Sequence, residues 1–272
     1  MDILSEIINH KKEEVSERKS LYPVKLLEKS IYFNTKPISL KDYLLRQDKS
    51  GIIAEFKTKS PSSGDINPYA NVADISVKYM QSGASALSIL TDSKFFGGSL
   101  NNLTVARKYN YCPILQKDFI IDEYQVIEAK SYGADVILLI AHVLSKTKIK
   151  QLTRLAKSLN LEVLFEIHHK KEIDKINESI DLVGVNNRNL KTFDVDIQNS
   201  IEMTKFIPDH FLKVSESGIK TANDIIELRK HGYTGFLMGE HFMKTTDPGR
   251  ACNTLIRQLK YSKKVELKQS HI

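Results

Sequence analysis

From residue 51 onward one hydrophobic pattern recurs along the chain. A short apolar run gives way to a polar or glycine-containing stretch, and then to a longer segment with apolar positions every three to four residues. Short apolar runs bounded by turn residues predict buried strands, and the longer period predicts amphipathic helices. The pattern places strands at 52–56, 86–90, 112–115, 136–140, 162–165, 182–185, 211–214 and 235–238. Between and after them it places helices at 72–82, 100–108, 123–132, 146–159, 170–177, 197–206, 222–230 and 247–259. The last opens on Asp247-Pro248, a capping side chain followed by proline at the first helical position. In "QSGAS", "SYGAD" and "KHGYTG" a glycine stands between a helix end and the next strand, where a helix C-terminus favours it.

Parallel strands each followed by a helix predict an α/β fold, here a (β/α)8 TIM barrel. A doubly wound open sheet would carry a glycine-rich dinucleotide fingerprint after its first strand, and the sequence has none. Residues 1–50 read as amphipathic helices at 4–20, 23–29 and 40–45, an N-terminal helical extension that covers the barrel. No convincing linker interrupts the chain. The expectation is a single domain over 1–272, with the barrel at 51–260 and a basic tail at 261–272.

Composition narrows the class without changing the fold. At 41% apolar and 27% charged residues, the 272-residue chain has the make-up of a folded globular protein. No apolar run reaches the roughly 20 residues of a membrane-spanning helix, and "MDILSEIINHKKEE" lacks a signal peptide's apolar core, so no membrane partner and a cytoplasmic address are expected. Cys112 and Cys252 lie far apart and form neither a zinc-spaced cluster nor a disulfide framework; buried free thiols are expected. The formal charge of +7 would suit a nucleic-acid binder or an enzyme that gathers phosphorylated substrates. Its excess sits in short runs such as "HHKK" and the tail "KYSKKVELKQSHI", without aromatic interleaving. That distribution argues against a nucleic-acid partner and for solubility with some anion steering.

Candidate chemistry gathers where strands end. Side chains alternate along a strand, so in "IIAEFK" Ile53, Glu55 and Lys57 share the barrel-facing side, and Ile52, Ala54 and Phe56 face the helices. A lone Glu-x-Lys on a strand is ordinarily a structural ion pair. Here the arrangement repeats: Lys117 and Asp118 follow the third strand, Glu166 the fifth, Asn186 and Arg188 the sixth, and Glu216 the seventh. All would emerge at the C-terminal rim, the face where barrel enzymes place their active sites. Lysines and carboxylates converging in a partly desolvated mouth shift one another's pKa values, which suits proton transfer near neutral pH.

The loops "SPSSG", "SESGI" and "MGEHF" offer hydroxyls and glycine amides after strands one, seven and eight. The last two stand where barrels frequently bind phosphate, and Lys57 with Ser60 completes the candidate anion site. His142, His168 and His169 lack the i, i+4 spacing of helical metal ligands and are expected to face solvent or cap helices.

These segments resemble the indole-3-glycerol phosphate synthase family of tryptophan biosynthesis. "IIAEFKTKSPSSG" is similar to the family's Ile-Ala-Glu-x-Lys-x-x-Ser-Pro-Ser-x-Gly signature, and "PILQKDFIID" to its Pro-x-Leu-Arg-Lys-Asp-Phe-Ile-Ile-Asp segment, with Gln116 in place of the frequent arginine at a position expected on the outer face. The resemblance continues through "LTD", "FFGGS", "FEIH", "VGVNNRNLKTF", "SESGI" and "LMGEHFM", and includes the N-terminal "IINHKKEEV".

It implies a carboxy-lyase without metal or cofactor that converts 1-(2-carboxyphenylamino)-1-deoxyribulose 5-phosphate to indole-3-glycerol phosphate by ring closure, decarboxylation and dehydration. In that reading Lys117 is the first general acid and Glu166 the base or proton partner. Lys57 contacts the substrate carboxylate and serves as an acid in dehydration. Glu55 and Glu216 orient the lysines and sugar hydroxyls, while Asn186 and Arg188 hold the anthranilate end. Ser60, Ser217, Gly218 and Gly239 bind phosphate, with Glu240 contributing backbone only. Phe119 packs on the aromatic ring, and Phe96 is expected to pack at the rim.

Other readings carry different signatures. A Schiff-base role for Lys117 predicts borohydride trapping, and a nucleic-acid protein predicts salt-sensitive DNA binding without turnover. Phosphoribosylanthranilate isomerase expects an Asp and Cys pair at the rim, whereas Cys112 begins a strand. A monomer or weak dimer is the expected state.

Overall fold

In the computed structural model, residues 3–189 and 192–269 are described, with side chains through residue 262. The strands are β1 (Ile52–Phe56), β2 (Ala86–Leu90), β3 (Ile114–Lys117), β4 (Val136–Ile140), β5 (Glu162–Ile167), β6 (Leu182–Asn186), β7 (Leu212–Glu216) and β8 (Tyr233–Met238). Each pairs in parallel with its neighbours in sequence, and β8 closes on β1, with Ile53 level with both Leu237 and Ala86. The alternation read from the sequence holds. Ile53, Leu115, Leu138, Leu164, Val214 and Leu237 fill the barrel interior. Ile52, Ala54, Phe56, Ile89, Leu139 and Phe165 form the larger layer between sheet and helices.

Strand ends differ from the expected ones in one informative way. Lys117, Glu166, Asn186 and Glu216 were expected just beyond their strands, yet each belongs to the ladder. The apolar run stops where side chains leave the core, but backbone pairing needs no apolar side chain and continues. β3 starts two residues later than expected, at Ile114, whose N–H is held by the Asp135 carboxylate (2.8 Å). Cys112 lies before it, buried as a free thiol.

Helices over Val72–Gln81, Leu100–Tyr109, Glu123–Ser131, Lys146–Ser158 and Ala222–Lys230 match the helical periodicity. The expected helix at 170–177 is a 3-10 turn over Lys170–Lys175, capped by Glu172, whose Oε2 accepts from the N–H groups of His168 and His169. The stretch 197–206 splits into a short α-helix, Gln198–Met203, and a 3-10 turn, Thr204–Phe206. Asp247 caps the last helix through Arg250 N–H (3.1 Å), and that helix runs over Pro248–Gln269, through most of the stretch expected as a tail; residues 270–272 lie outside the described residues. Among the described residues, no helix is long and apolar enough to cross a membrane.

The extension works at both ends of the barrel. A short helix, Leu40–Leu45, inserts Leu40 and Leu44 into the interior cluster at the N-terminal end. Glu162, the first residue of β5, receives hydrogen bonds from Ser39 Oγ (2.6 Å), Leu40 N (2.7 Å) and Lys41 N (3.2 Å), fixing that helix by its N-terminus. At the opposite end lies α1 (Ile3–Leu21), which buries Ile7, Lys11 and Val15 along one stripe. Lys11 is 1% exposed and sits 2.9 Å from Asp92 after β2, 3.0 Å from Asp118 after β3 and 2.8 Å from Glu14. Burial pulls its ammonium pKa down, but the surrounding carboxylates outweigh that and hold it charged.

Replacing Lys11 by Met would leave Asp92 and Asp118 buried without their counter-ion. Urea unfolding of Lys11→Met is expected to show a loss of about 3–5 kcal/mol, the penalty for stranding a buried charge. A loss below about 1 kcal/mol would mean the carboxylates find other partners or protonate at little cost.

Candidate active site

At the C-terminal mouth, β1, β3, β5 and β7 direct Glu55, Lys117, Glu166 and Glu216 toward the barrel axis. Alternate strands of an eight-stranded barrel contribute to the same interior layer, so these residues meet. Lys117 Nζ lies 2.8 Å from Glu166 Oε2 and 3.4 Å from Glu216 Oε2. Asn186, on β6, donates from Nδ2 to Glu166 Oε1 (3.2 Å). Beside them Lys57 pairs with Glu55 at 2.9 Å, and Ser88 Oγ donates to the other Glu55 oxygen at 3.3 Å.

Two glycines make the convergence possible. A β-carbon on Gly184 would collide with Glu216 Oε1, and one on Gly239 would lie 2.6 Å from Glu55 Oε1.

Burial and charge separate the carboxylates. Burial disfavours the charged form of Glu166, but the adjacent ammonium of Lys117 outweighs it and holds this carboxyl below the ordinary range. Glu216 is 1% exposed. Burial dominates there, reinforced by the like charges of Glu166 and Glu55, and raises its pKa despite Lys117. The Lys117 ammonium loses solvation but gains three carboxylate neighbours, and the net shift is upward. The site therefore holds an ionised Lys117–Glu166 pair beside a carboxyl that favours its proton.

The cleft has two lobes. The deeper one is walled by Leu90, Phe119, Leu138, Ile140 and Leu237, with Phe96 stacked near Phe119 (ring centroids 5.9 Å apart). Phe96 thus lines the cleft as well as packing at the rim. The outer lobe lies between Lys57, Arg188, Ser217, Gly218, Gly239 and Lys244. Ser217 and Gly218 both have positive φ (67° and 80°), the tight backbone form in which a β-carbon on Gly218 would strike Val195.

Ser60 sits on the deeper lobe, in the hairpin of Lys59–Ser60 with Gly64–Asp65. Arg188 lies between the lobes, donating from one terminal nitrogen to Glu240 (3.0 Å) and from the other to Phe193 O (3.3 Å). Glu240 also receives Lys244 at 2.6 Å and Ser63 Oγ at 3.2 Å, so its charge is compensated and its pKa lowered against its burial. Among the described residues no group of His, Cys, Asp and Glu is arranged to hold a metal ion.

All twelve residues singled out from the sequence lie on this cleft: Lys117, Glu166, Lys57, Glu55, Asn186, Glu216, Ser60, Phe119, Arg188, Ser217, Gly218 and Gly239. Asp118 reaches its wall but directs its carboxylate to Lys11. His168 departs from the solvent-facing or capping place expected of it: it is 3% exposed, behind Glu166. Gln116 does face outward, but it is buried against the helix layer and donates to Thr91. Sequence reasoning missed Ile3, Leu4 and Ile7 of α1, which close the deeper lobe, and Lys244 on the outer one. The stripe Ile3, Ile7, Lys11, Val15 was a readable signal for Ile3 and Ile7, with Leu4 three residues before Ile7 on the same side; Lys244 had none beyond its charge.

A closed parallel barrel that brings ionisable side chains to its C-terminal mouth beside an apolar wall defines a (β/α)8-barrel enzyme fitted to proton transfer. Relatives narrow this further. The family model described as indole-3-glycerol phosphate synthase matches residues 4–255, and the chain belongs to that family. Among its relatives, the indole-3-glycerol phosphate synthase of Bacteroides thetaiotaomicron is 47% identical over 95% of this chain and 99% of its own. That of Campylobacter fetus is 43% identical over 89% and 94%.

Solved structures share the fold at lower identity. 3-Hexulose-6-phosphate synthase from Salmonella typhimurium superposes with a TM-score of 0.59 at 15% identity, covering 76% of this chain and 99% of its own. Tryptophan synthase subunit alpha from Legionella pneumophila does so with a TM-score of 0.58 at 13%, covering 82% and 97%. The chain is accordingly a carboxy-lyase of tryptophan biosynthesis, closing the indole ring with loss of carbon dioxide.

Two measurements test the site geometry. Gly184→Ala would displace Glu216 and is expected to lower kcat at least tenfold, about 1.4 kcal/mol of barrier, with the circular dichroism spectrum unchanged; normal turnover would show that the position of Glu216 is not critical. Because the pKa of Glu216 is raised by folding, the native state holds a proton that the unfolded chain releases, so this group makes stability fall as pH rises from the ordinary glutamate range toward the raised value. Glu216→Gln should flatten that slope in denaturation curves taken across neutral pH. An unchanged slope would place the proton elsewhere.

Proposed function

We propose that Lys117 and Glu166 are the acid and base of this ring closure, acting on 1-(2-carboxyphenylamino)-1-deoxyribulose 5-phosphate. The carrying observation is the 2.8 Å pair they form at the head of the apolar lobe, with one partner a proton donor and the other an ionised acceptor. The proton balance of the reaction needs both. Attack of the carboxylate-bearing ring carbon on the ketone turns the carbonyl oxygen into a hydroxyl and takes up one proton. Loss of carbon dioxide restores aromaticity. Departure of the hydroxyl as water takes up a second proton, and formation of the indole double bond releases one.

Each residue has a place in this sequence. Lys117 protonates the ketone oxygen. Glu166, held by Asn186, receives the proton released at the end. Lys57 contacts the substrate carboxylate and protonates the departing hydroxyl. Glu55 and Glu216 orient the two lysines and the sugar hydroxyls, and Asn186 with Arg188 holds the anthranilate end. Phe119 stacks on the aromatic ring. The phosphate occupies the outer lobe, against the backbone of Ser217, Gly218 and Gly239 and the Ser217 hydroxyl, while Ser60, assigned to the same anion from the sequence, faces it from the deeper lobe. A small phosphorylated substrate, a cytoplasmic setting and a monomer or weak dimer complete the reading.

Indole-3-glycerol phosphate fluorescence, followed after adding the protein to the substrate, tests it. The wild type is expected to give signal, and Lys117→Ala and Glu166→Gln to lose about 10²- to 10⁴-fold in kcat, the usual contribution of a positioned acid or base. On acidification, activity should fall only as Glu166 protonates, below the ordinary glutamate range, because Lys117 stabilises its charged form. Full turnover by Lys117→Ala, or trapping of substrate on Lys117 by borohydride, would overturn the acid assignment. A Lys57→Met protein that dehydrates the ring-closed intermediate at the normal rate would remove Lys57 from that step.

A further inference from the structure

Behind Glu166 stands a buried imidazole to which the proposed mechanism gives no task. His168 follows β5 directly and is 3% exposed. Its Nε2 lies 3.3 Å from Glu166 Oε1, the oxygen that also accepts from Asn186. No protein group is aligned to hydrogen-bond either ring nitrogen. Buried polar groups are ordinarily paired, and Glu166 Oε1 lies within hydrogen-bond distance of Nε2, so that a change of ring angle is all the bond requires.

The backbone holds His168 firmly. Its N–H donates to Glu172 Oε2 (2.7 Å), and its carbonyl accepts from Asn199 Nδ2 (3.5 Å). These bonds fix the main chain that carries the ring beside Glu166.

Resting on the reading of Glu166 as the base, we propose that His168 is a positioning residue for it: a neutral imidazole that donates its Nε2 proton to Glu166 Oε1. The charged form of Glu166 is then held from three directions, by Lys117 on one oxygen and by Asn186 and His168 on the other. The charged and titratable groups around the ring are Glu166 on its own strand, Lys117 on β3, Glu172 on the following 3-10 turn, His142 on the loop after β4 and its neighbour His169. Burial keeps the imidazole neutral against the pull of Glu166 and Glu172, with Lys117 and His142 acting in the same direction as burial. A neutral donor suits the task. It orients the carboxylate without neutralising it, so Glu166 can still accept a proton, and by stabilising the charged form it keeps the base ionised to lower pH.

Two substitutions separate this role from packing. His168→Leu keeps most of the volume and removes the donor. It is expected to lower kcat about 10- to 100-fold, the range for a lost hydrogen bond to a charged group, with KM changed less than about threefold and the acid limb of the kcat profile moved to higher pH. His168→Gln keeps an amide N–H near the place of Nε2, and is expected to recover most of kcat and the wild-type acid limb.

Unchanged kcat and acid limb in His168→Leu would overturn the assignment, as would equal losses in both variants with no shift of the limb, which is the signature of packing alone. Nitrogen-15 spectra of histidine-labelled wild type provide a test that needs no variant. The Nε2–H tautomer of His168 across neutral pH is expected, and the Nδ1–H tautomer would overturn the proposal. Glu166→Gln, assayed in parallel, distinguishes the two levels: full activity there removes the reading of Glu166 itself, whereas an inactive Glu166→Gln beside a fully active His168→Leu removes only the role of His168.

Discussion

The site depends on a geometric constraint of the closed barrel: residues from alternate strands share a layer and must meet on the axis. Here the top layer is not apolar. It consists of Glu55, Lys117, Glu166 and Glu216, and their mutual distances are fixed by strand register rather than by side-chain choice. A cation among three carboxylates in a desolvated space cannot leave all of them ionised. Lys57 balances Glu55, Lys117 balances Glu166, and Glu216 is left to favour its proton. The protonation pattern that acid–base chemistry needs thus follows from counting charges in one layer. Beside this layer the even strands place the small residues Gly184 and Ser88, which leave room for the larger side chains.

The N-terminal extension belongs to this arrangement. A parallel barrel has two open ends, and an apolar interior exposed at either would be costly. Leu40 and Leu44 seal the N-terminal end, where no chemistry is placed. Over the other end, α1 brings Ile3, Leu4 and Ile7 to the apolar lobe, and Lys11 ties the helix to Asp92 and Asp118. Asp118 directly follows Lys117 in the chain. The same short segment therefore carries the proposed acid on its barrel-facing side and the anchor for the covering helix on the other.

How much of this was legible in the sequence follows from which interactions are periodic. Strand positions and their facing could be read because alternation in "IIAEFK" or "EVLFEI" records which side is buried, and eight such runs leave few architectures. Strand ends could not, because Lys117, Glu166, Asn186 and Glu216 stay in the ladder through backbone bonds that leave no trace in composition. The charged residues that line the cleft were legible because a charged residue in register with a buried face is an exception to its own pattern. His168 was misread for the opposite reason: "HHKK" looks like a solvated run, and only tertiary packing turns one of its histidines inward. Lys11 was hidden in the same way, a lysine within a charged helix that the barrel buries.

Charge complementarity in the outer lobe completes the argument. The chain carries a formal +7, yet the cleft holds Lys57, Lys117, Arg188 and Lys244 against Glu55, Glu166 and Glu240, with Glu216 favouring its proton. Nearly all its cations are already paired, so their attraction for an anionic substrate is moderate. Arg188, between the lobes, and Lys244, on the outer one, both lie on Glu240. An anion entering the outer lobe gains from the field of the whole protein at long range and from backbone amides at short range. Ser217, Gly218 and Gly239 suit the short-range part because their backbone can approach closely without adding charge to the layer below. The proposed proton-transfer group and the proposed anion site thus share one barrel mouth, with Lys57 and Arg188 lining both lobes.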